Sequence, residues 1–265
     1  ADLIFDLDAD HLPEMELLKQ GKTSFGALME ITRGQAVRLA EDFLLGDLGL
    51  ALEDLQLVFS GGRGYHVHVR APAVLELPSG ARRELADYLT GLDADKERLL
   101  VDAGHTRQYG DKRYLTGELR LPATDAPGWQ GRVARYASAW LEEAQALPAK
   151  ERLARLESLP GVGSKLAKQA QLDGTPQEVF DALPRRAQTA LRDAALSACA
   201  VHADEPVTGD LHRLIRLPGT LHGGTGLLAR SVTLNELRDF DPYRQATVLG
   251  DAPVKVRSAV KHPVA

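Results

Sequence analysis

Asp6 and Asp8 stand in L-I-F-D-L-D, two carboxylates one residue apart inside a short apolar run. Such a run reads as a buried strand, and strand side chains alternate between two faces. Ile4, Asp6 and Asp8 then share one face, and Leu3, Phe5 and Leu7 the other. Unpaired buried charge is costly, so two acids on one side of a core strand call for compensation. A divalent cation is the simplest form of it. Hard cations such as Mg²⁺ take oxygen ligands, commonly one or two carboxylates together with substrate phosphates. The pattern therefore points to metal-assisted phosphoryl chemistry. The plainer alternative is that Asp8 ends the strand and opens the polar turn A-D-H-L-P.

A second group of reactive types follows in S-G-G-R-G-Y-H-V-H, residues 60–68. Glycines between two strands let backbone N–H groups approach a ligand closely. Ser60 adds a hydroxyl and Arg63 a fork that matches phosphate. His66 and His68 fall on one strand face; Tyr65, Val67 and Val69 fall on the other. The combination suits a triphosphate cradle, although it is not a Walker A loop, because no G-K-[S/T] opens a helix. Two other readings stand beside it: a simple hairpin turn at G-G-R-G, and a His66/His68 metal pair.

The third group is D-E-P-V-T-G-D-L-H-R-L-I-R-L-P-G-T-L-H-G-G-T-G, residues 204–226. It supplies acids (Asp204, Asp210), then bases (Arg213, Arg216), then His222 before a glycine turn. A metal ligand followed by triphosphate contacts is what a nucleotide site requires. Asp210 as a helix N-cap and the arginines as surface residues are the alternative.

These groups need strands to carry them. Residues 2–8, 55–60 and 65–69 read as strands, and 24–45 as a helix from the spacing of Leu28, Ile31, Val37, Ala40 and Leu44. Residues from about 73 to 196 are rich in Ala, Leu, Glu and Arg, helical in period and broken by prolines. After Cys199 the strand-like texture returns in R-L-I-R-L-P, L-L-A-R-S-V-T-L and A-T-V-L-G. We expect an α+β domain split in sequence (1–72 and 197–265) around a mainly helical insertion (73–196). The 265 residues, 44% hydrophobic and 26% charged, describe a globular chain with a sizeable core. A net charge of −5 argues against a generic nucleic-acid coat but leaves local basic clefts open. The single cysteine, Cys199, excludes a disulfide framework and a cysteine-based zinc site. No apolar run reaches membrane-spanning length and no leader precedes the first strand, so a cytoplasmic protein without membrane contact is expected. Because the chain opens directly on a core strand, a preceding segment is expected to be missing.

F-D-L-D-A-D, S-G-G-R-G-Y-H-V-H-V and D-x-P-V-T-x-D-x-x-R-L-I-R-L-P-G-T-L-H-G-x-T-G, in this order, closely resemble the catalytic small subunit of the archaeal and eukaryotic replicative primases, the archaeal form most. The tail motifs F-D-P-Y and G-D-A-P-V-K-V are similar to that family as well. The recognisable blocks cover the two β-rich portions, about half the chain. The resemblance implies a Prim-Pol (archaeo-eukaryotic primase) catalytic fold and a two-metal nucleotidyl transferase using Mg²⁺ or Mn²⁺. It places the metal carboxylates at Asp6, Asp8 and Asp204, with Asp210 as runner-up for the third. It places triphosphate contacts at Ser60, Arg63, His66, Arg216 and His222. It implies nucleoside triphosphate substrates, a single-stranded DNA template and a primase large subunit as partner in a heterodimer. A repair or plasmid Prim-Pol preferring deoxynucleotides, or a nucleotide- or DNA-binding module without catalysis, are the alternatives. The sequence departs from the family at Gly62, where a basic residue is common, and at Gly224, where a lysine is common. The cysteine-rich zinc knob of many members has no counterpart, so no structural zinc is expected.

Two weaker signals lie in the central block. L-P-G-V-G-S-K-L-A-K-Q-A (159–170) resembles half a helix-hairpin-helix element, with Lys165 and Lys168 near a phosphate, or else is an ordinary turn opening a helix. His105, Arg107, Lys112 and Arg113 form a basic stretch that reads first as solvated surface. Trp129 and Trp140 read as core.

Overall fold

The computed structural model describes residues 1–12, 15–109, 112–116, 119–169 and 174–250. The tail motif beyond Gly250 lies outside the described residues, as do the side chains of His105, Arg107, Lys112, Arg113 and Lys168.

Strand β1 (Leu3–Asp8) alternates buried and half-buried residues along its length, as two-residue periodicity dictates. It pairs antiparallel with β3 (Gly64–Val69), which pairs antiparallel with β2 (Leu55–Phe59). Two short paired strands and one hairpin in the central block follow: β4 (Val101–Asp102) with β7 (Leu119–Arg120), and β5 (His105–Tyr109) with β6 (Lys112–Thr116). Strand β8 (Arg230–Val232) closes the main sheet on β2, giving the order β1-β3-β2-β8.

One face of this sheet is the core. Leu3, Phe5, Leu7, Tyr65, Val67 and Phe59 are buried there. The helix Phe25–Arg38 covers them, opened by Ser24, whose Oγ accepts from the Ala27 N–H at 3.1 Å. The helix expected over 24–45 does not end at Arg38. It widens into π-helical turns over Leu39–Asp47, which keep Leu39, Ala40, Phe43 and Leu44 all buried. Arg132 lies beneath this stretch, its guanidinium 3.8 Å from the centre of the Phe43 ring and 2.7 Å from Asp47 Oδ2. Trp129 is a core residue, its Nε1–H donating to the Tyr88 carbonyl at 2.9 Å.

The block 73–196 carries the helices Ser79–Thr90, Gly128–Ala146, Ala149–Glu157, Ser164–Gln169 and Pro176–Ala182, and most of Arg185–Cys199, besides the small sheets. After Cys199 the strand-like texture is only partly realised. R-L-I-R-L-P joins no strand: Arg213 and Arg216, three apart, fall on opposite faces of any extended chain, so neither face is apolar. A-T-V-L-G also stays outside the sheet. Ala246 gives its carbonyl to the Leu228 N–H and is buried, but Val248 and Leu249 turn outward. Among the described residues, no helix is long and apolar enough to cross a membrane.

Candidate active site

The face of the sheet opposite the core carries the acids. Antiparallel register sets Asp6 across from His66 and Asp8 across from Gly64. His66 Nε2 lies 3.6 Å from Asp6 Oδ1. Burial lowers the His66 pKa to about 4, with His68 and Arg216 adding to the effect and Asp8 opposing it. His66 is therefore a neutral imidazole at physiological pH. Asp8 fills both roles read for it. It ends β1 and accepts from the Asp10 N–H at 3.0 Å, and its side chain also faces a cleft of about 210 Å³.

The glycine turn walls one end of this cleft. Ser60 Oγ accepts from the Gly62 and Gly64 N–H groups, each at 3.2 Å, and the Ser60 N–H donates to the Gly64 carbonyl. The hydroxyl thus holds the turn in shape and keeps its own hydrogen for a ligand. Gly61, at φ +78, needs glycine's freedom: a Cβ there would lie 3.0 Å from the Leu227 carbonyl oxygen. Arg63 is partly committed within the protein. Its Nη1 donates to Asp10 Oδ1 at 2.9 Å, its Nη2 also pairs with Asp10, and its Nε lies 3.9 Å from Asp8. Sequence reasoning missed Asp10. The sequence showed only a third acid in D-L-D-A-D; its pairing follows from the neighbouring Ala9 N–H, which binds the Arg63 carbonyl and brings the turn against it.

The opposite wall comes from the segment 213–222, which contributes Arg213, Leu214, Ile215, Arg216 and His222. His222 is fixed by its own turn. Its Nδ1 accepts from the Gly224 and Thr225 N–H groups at 3.2 Å, so the ring proton sits on Nε2. Thr225 Oγ1 donates to the Gly61 carbonyl at 2.5 Å and so ties this turn to the first. Among the described residues Arg213 and Arg216 make no hydrogen bond or ion pair within the chain.

All the expected site residues line the cleft except Asp204. Asp204 precedes the short helix Glu205–Gly209, and its N–H donates to the Asp6 carbonyl at 2.8 Å. Its backbone is therefore anchored beside β1, and it is not one of the residues that line the cleft. Among the described residues no group of three or more His, Cys, Asp or Glu side chains is gathered to hold a metal ion. Asp210 accepts from the His212 N–H at 2.8 Å and borders a neighbouring groove. Asp6 and Asp8 are adjacent hard oxygen donors on one strand face beside unpaired guanidinium groups, and that donor chemistry fits Mg²⁺ or Mn²⁺.

A model of the DNA primase small subunit family matches residues 5–234. The chain belongs to the DNA primase small subunit family. It is 39% identical over 97% of its length to the DNA primase small subunit PriS of Methanothrix thermoacetophila, covering 67% of that protein. It is 36% identical over 97% of its length to PriS of Methanococcoides burtonii, covering 66% of it, and 38% identical over 93% to PriS of Halorubrum lacusprofundi, covering 62%. The chain spans about two thirds of the length of the relatives it matches. It is an archaeal-type primase small subunit sequence with the α+β Prim-Pol fold of that family.

Gly62 and Gly224, the two positions read from the sequence as departures from the family, meet at one ring. A Cβ at Gly62 would lie 3.0 Å from His222 Nε2, and one at Gly224 would lie 3.2 Å from His222 Cε1. In this chain the imidazole occupies the space beside both positions.

Proposed function

We propose that this chain carries the nucleotidyl-transfer centre of a DNA primase, joining nucleoside triphosphates into short primers on a single-stranded DNA template. The observation that carries the reading is the order of groups along one open sheet face. Triphosphate-binding types lie at the glycine turn, paired carboxylates come next, and unpaired arginines stand opposite. Mg²⁺ or Mn²⁺, when bound here, would supply Lewis-acid charge at the reacting phosphoryl group. Asp6 and Asp8 would hold the cations through hard oxygen donors, and Asp204, whose backbone is tied to the Asp6 carbonyl, would become a third ligand only if its side chain turns toward them. Arg63, Arg216 and the Nε2–H of His222 bind the triphosphate and offset the charge that builds on the leaving pyrophosphate. Ser60 shapes the turn and offers its hydroxyl. His66, neutral and buried, backs Asp6 without adding charge. A primase large subunit is the expected partner in a heterodimer.

The test is incorporation of labelled nucleotides on single-stranded DNA with Mn²⁺, comparing this chain with its Asp6→Ala and Asp8→Ala variants. Incorporation lost in both variants while their melting temperatures hold supports the reading. Incorporation retained in either overturns it. Running ribo- and deoxyribonucleotides side by side separates a primer-synthesising enzyme from a Prim-Pol that prefers deoxynucleotides.

A further inference from the structure

A second groove, of about 260 Å³, continues the catalytic cleft along the same sheet face. The two share Arg213, Ile215 and Arg216, so the segment that walls one also walls the other. The groove's floor is the next layer of the sheet: Ile4 and Gln56, which flank His68 in register. His68 is buried and lines the groove, its Nδ1 lying 3.6 Å from Asp2 Oδ2.

Direction along the sheet gives this groove its meaning. The glycine turn lies at one end, opposite Asp8; Asp6 and His66 come next; Ile4, His68 and Gln56 follow; Asp2 and Arg70 finish the face. Phosphoryl transfer by displacement sets the attacking oxygen and the leaving group roughly in line on opposite sides of the phosphorus. With the leaving pyrophosphate at the glycine turn, the attacking hydroxyl must arrive from the far side of the carboxylates, and that side is this groove.

Resting on the reading above, we infer that this groove seats the 3′ end of the primer strand, and that Arg213 binds the phosphodiester next to the reacting hydroxyl. Arg213 is exposed and makes no ion pair or hydrogen bond within the chain among the described residues, so its charge is available to a phosphate. Arg70 differs, being held by Asp2 Oδ2 at 2.9 Å. Asp210, the other acid lining the groove, uses Oδ1 to accept from the His212 N–H. Leu217, 69% exposed, adds an apolar surface for a sugar or base. Arg216 stays with the triphosphate, and Arg213 with the strand.

The test is binding of a fluorescently labelled primed template across a salt series, paired with the KM for the incoming nucleotide, in wild type and Arg213→Gln. Arg213 is exposed, so the variant keeps its fold. We expect the primed-template Kd to rise about tenfold and the slope of log K against log salt to shrink by about 1, the mark of one lost phosphate contact. We expect the nucleotide KM to stay within about twofold, while Arg216→Gln raises it. A raised nucleotide KM with unchanged template affinity and slope in Arg213→Gln overturns the assignment, as does a wild type that binds no primed template at low salt. A wild type that binds with an Arg213-dependent slope yet incorporates nothing defeats the proposed function and leaves the groove standing. One that incorporates without any Arg213 dependence does the reverse.

Discussion

His222 shows how closely a single side chain here depends on its neighbours. Its Nδ1 is engaged by two backbone N–H groups and its ring lies against Gly62 and Gly224. Gly62→Ala must move the ring by a few tenths of an ångström, and displacements at a reacting centre are costly; we expect kcat/KM for nucleotide to fall about tenfold. Steady-state kinetics with a melting control checks this, and unchanged kinetics would show that the position of His222 is not critical. Asp6→Asn and Asp8→Asn are expected to lose incorporation by about 10²-fold or more. Their melting temperatures in metal-free buffer should hold, because each change removes one of two like charges. Added Mn²⁺ should raise the melting temperature of the parent and not of these variants. Both carboxylates were legible in the sequence because a period of two puts them on one face whatever the partner strand is. Asp10 was not: its pairing with Arg63 depends on a turn more than fifty residues away folding against the end of β1.

At the scale of elements, the β1–β3 pairing aligns the acids with the glycine turn, and Gly64 permits it. A Cβ at Gly64 would lie 2.0 Å from the Leu7 carbonyl oxygen, inside backbone that has nowhere to go. Gly64→Ala should therefore push β1 away, costing more than about 4 kcal/mol and removing activity with stability. Thermal melts decide it, and a variant that melts with the parent would contradict the register. The strands over 3–8, 55–59 and 64–69 were readable because their apolar residues alternate or run unbroken between turn residues. The segment 213–218 was misread as strand-like. Its leucines and isoleucine are apolar enough, but their spacing commits no face, and it became a wall of the cleft. The site of Asp204 was legible only as a motif. Its anchoring by the Asp6 carbonyl is a backbone bond that side-chain identity does not reveal.

The whole molecule places a basic wall over an acidic sheet face in a chain of net charge −5, so the nucleic-acid contact proposed above would rest on that local wall and not on overall charge. Its stability carries a pH signature from the second buried histidine. Burial holds the His68 pKa below the ordinary histidine value, against the pull of Asp2. The unfolded chain therefore takes up this proton first as pH falls below about 6.5, and stability falls with it. His68→Gln, which cannot titrate, should show a shallower loss of melting temperature between about pH 7 and pH 5 than the parent. An equally steep loss would assign the effect to other groups. The primase family was readable from three short motifs that line or adjoin the cleft, and the α+β class from the alternation of strand-like and helical texture along the chain.

The arrangement as a whole meets its most direct test in anomalous diffraction from Mn²⁺-soaked crystals holding a primed template and a non-hydrolysable nucleoside triphosphate. The expected map has manganese between Asp6 and Asp8, the triphosphate running toward Ser60 and His222, and the primer end beside Arg213. Manganese away from those carboxylates, or a triphosphate lying along the Ile4–His68 groove, would contradict it.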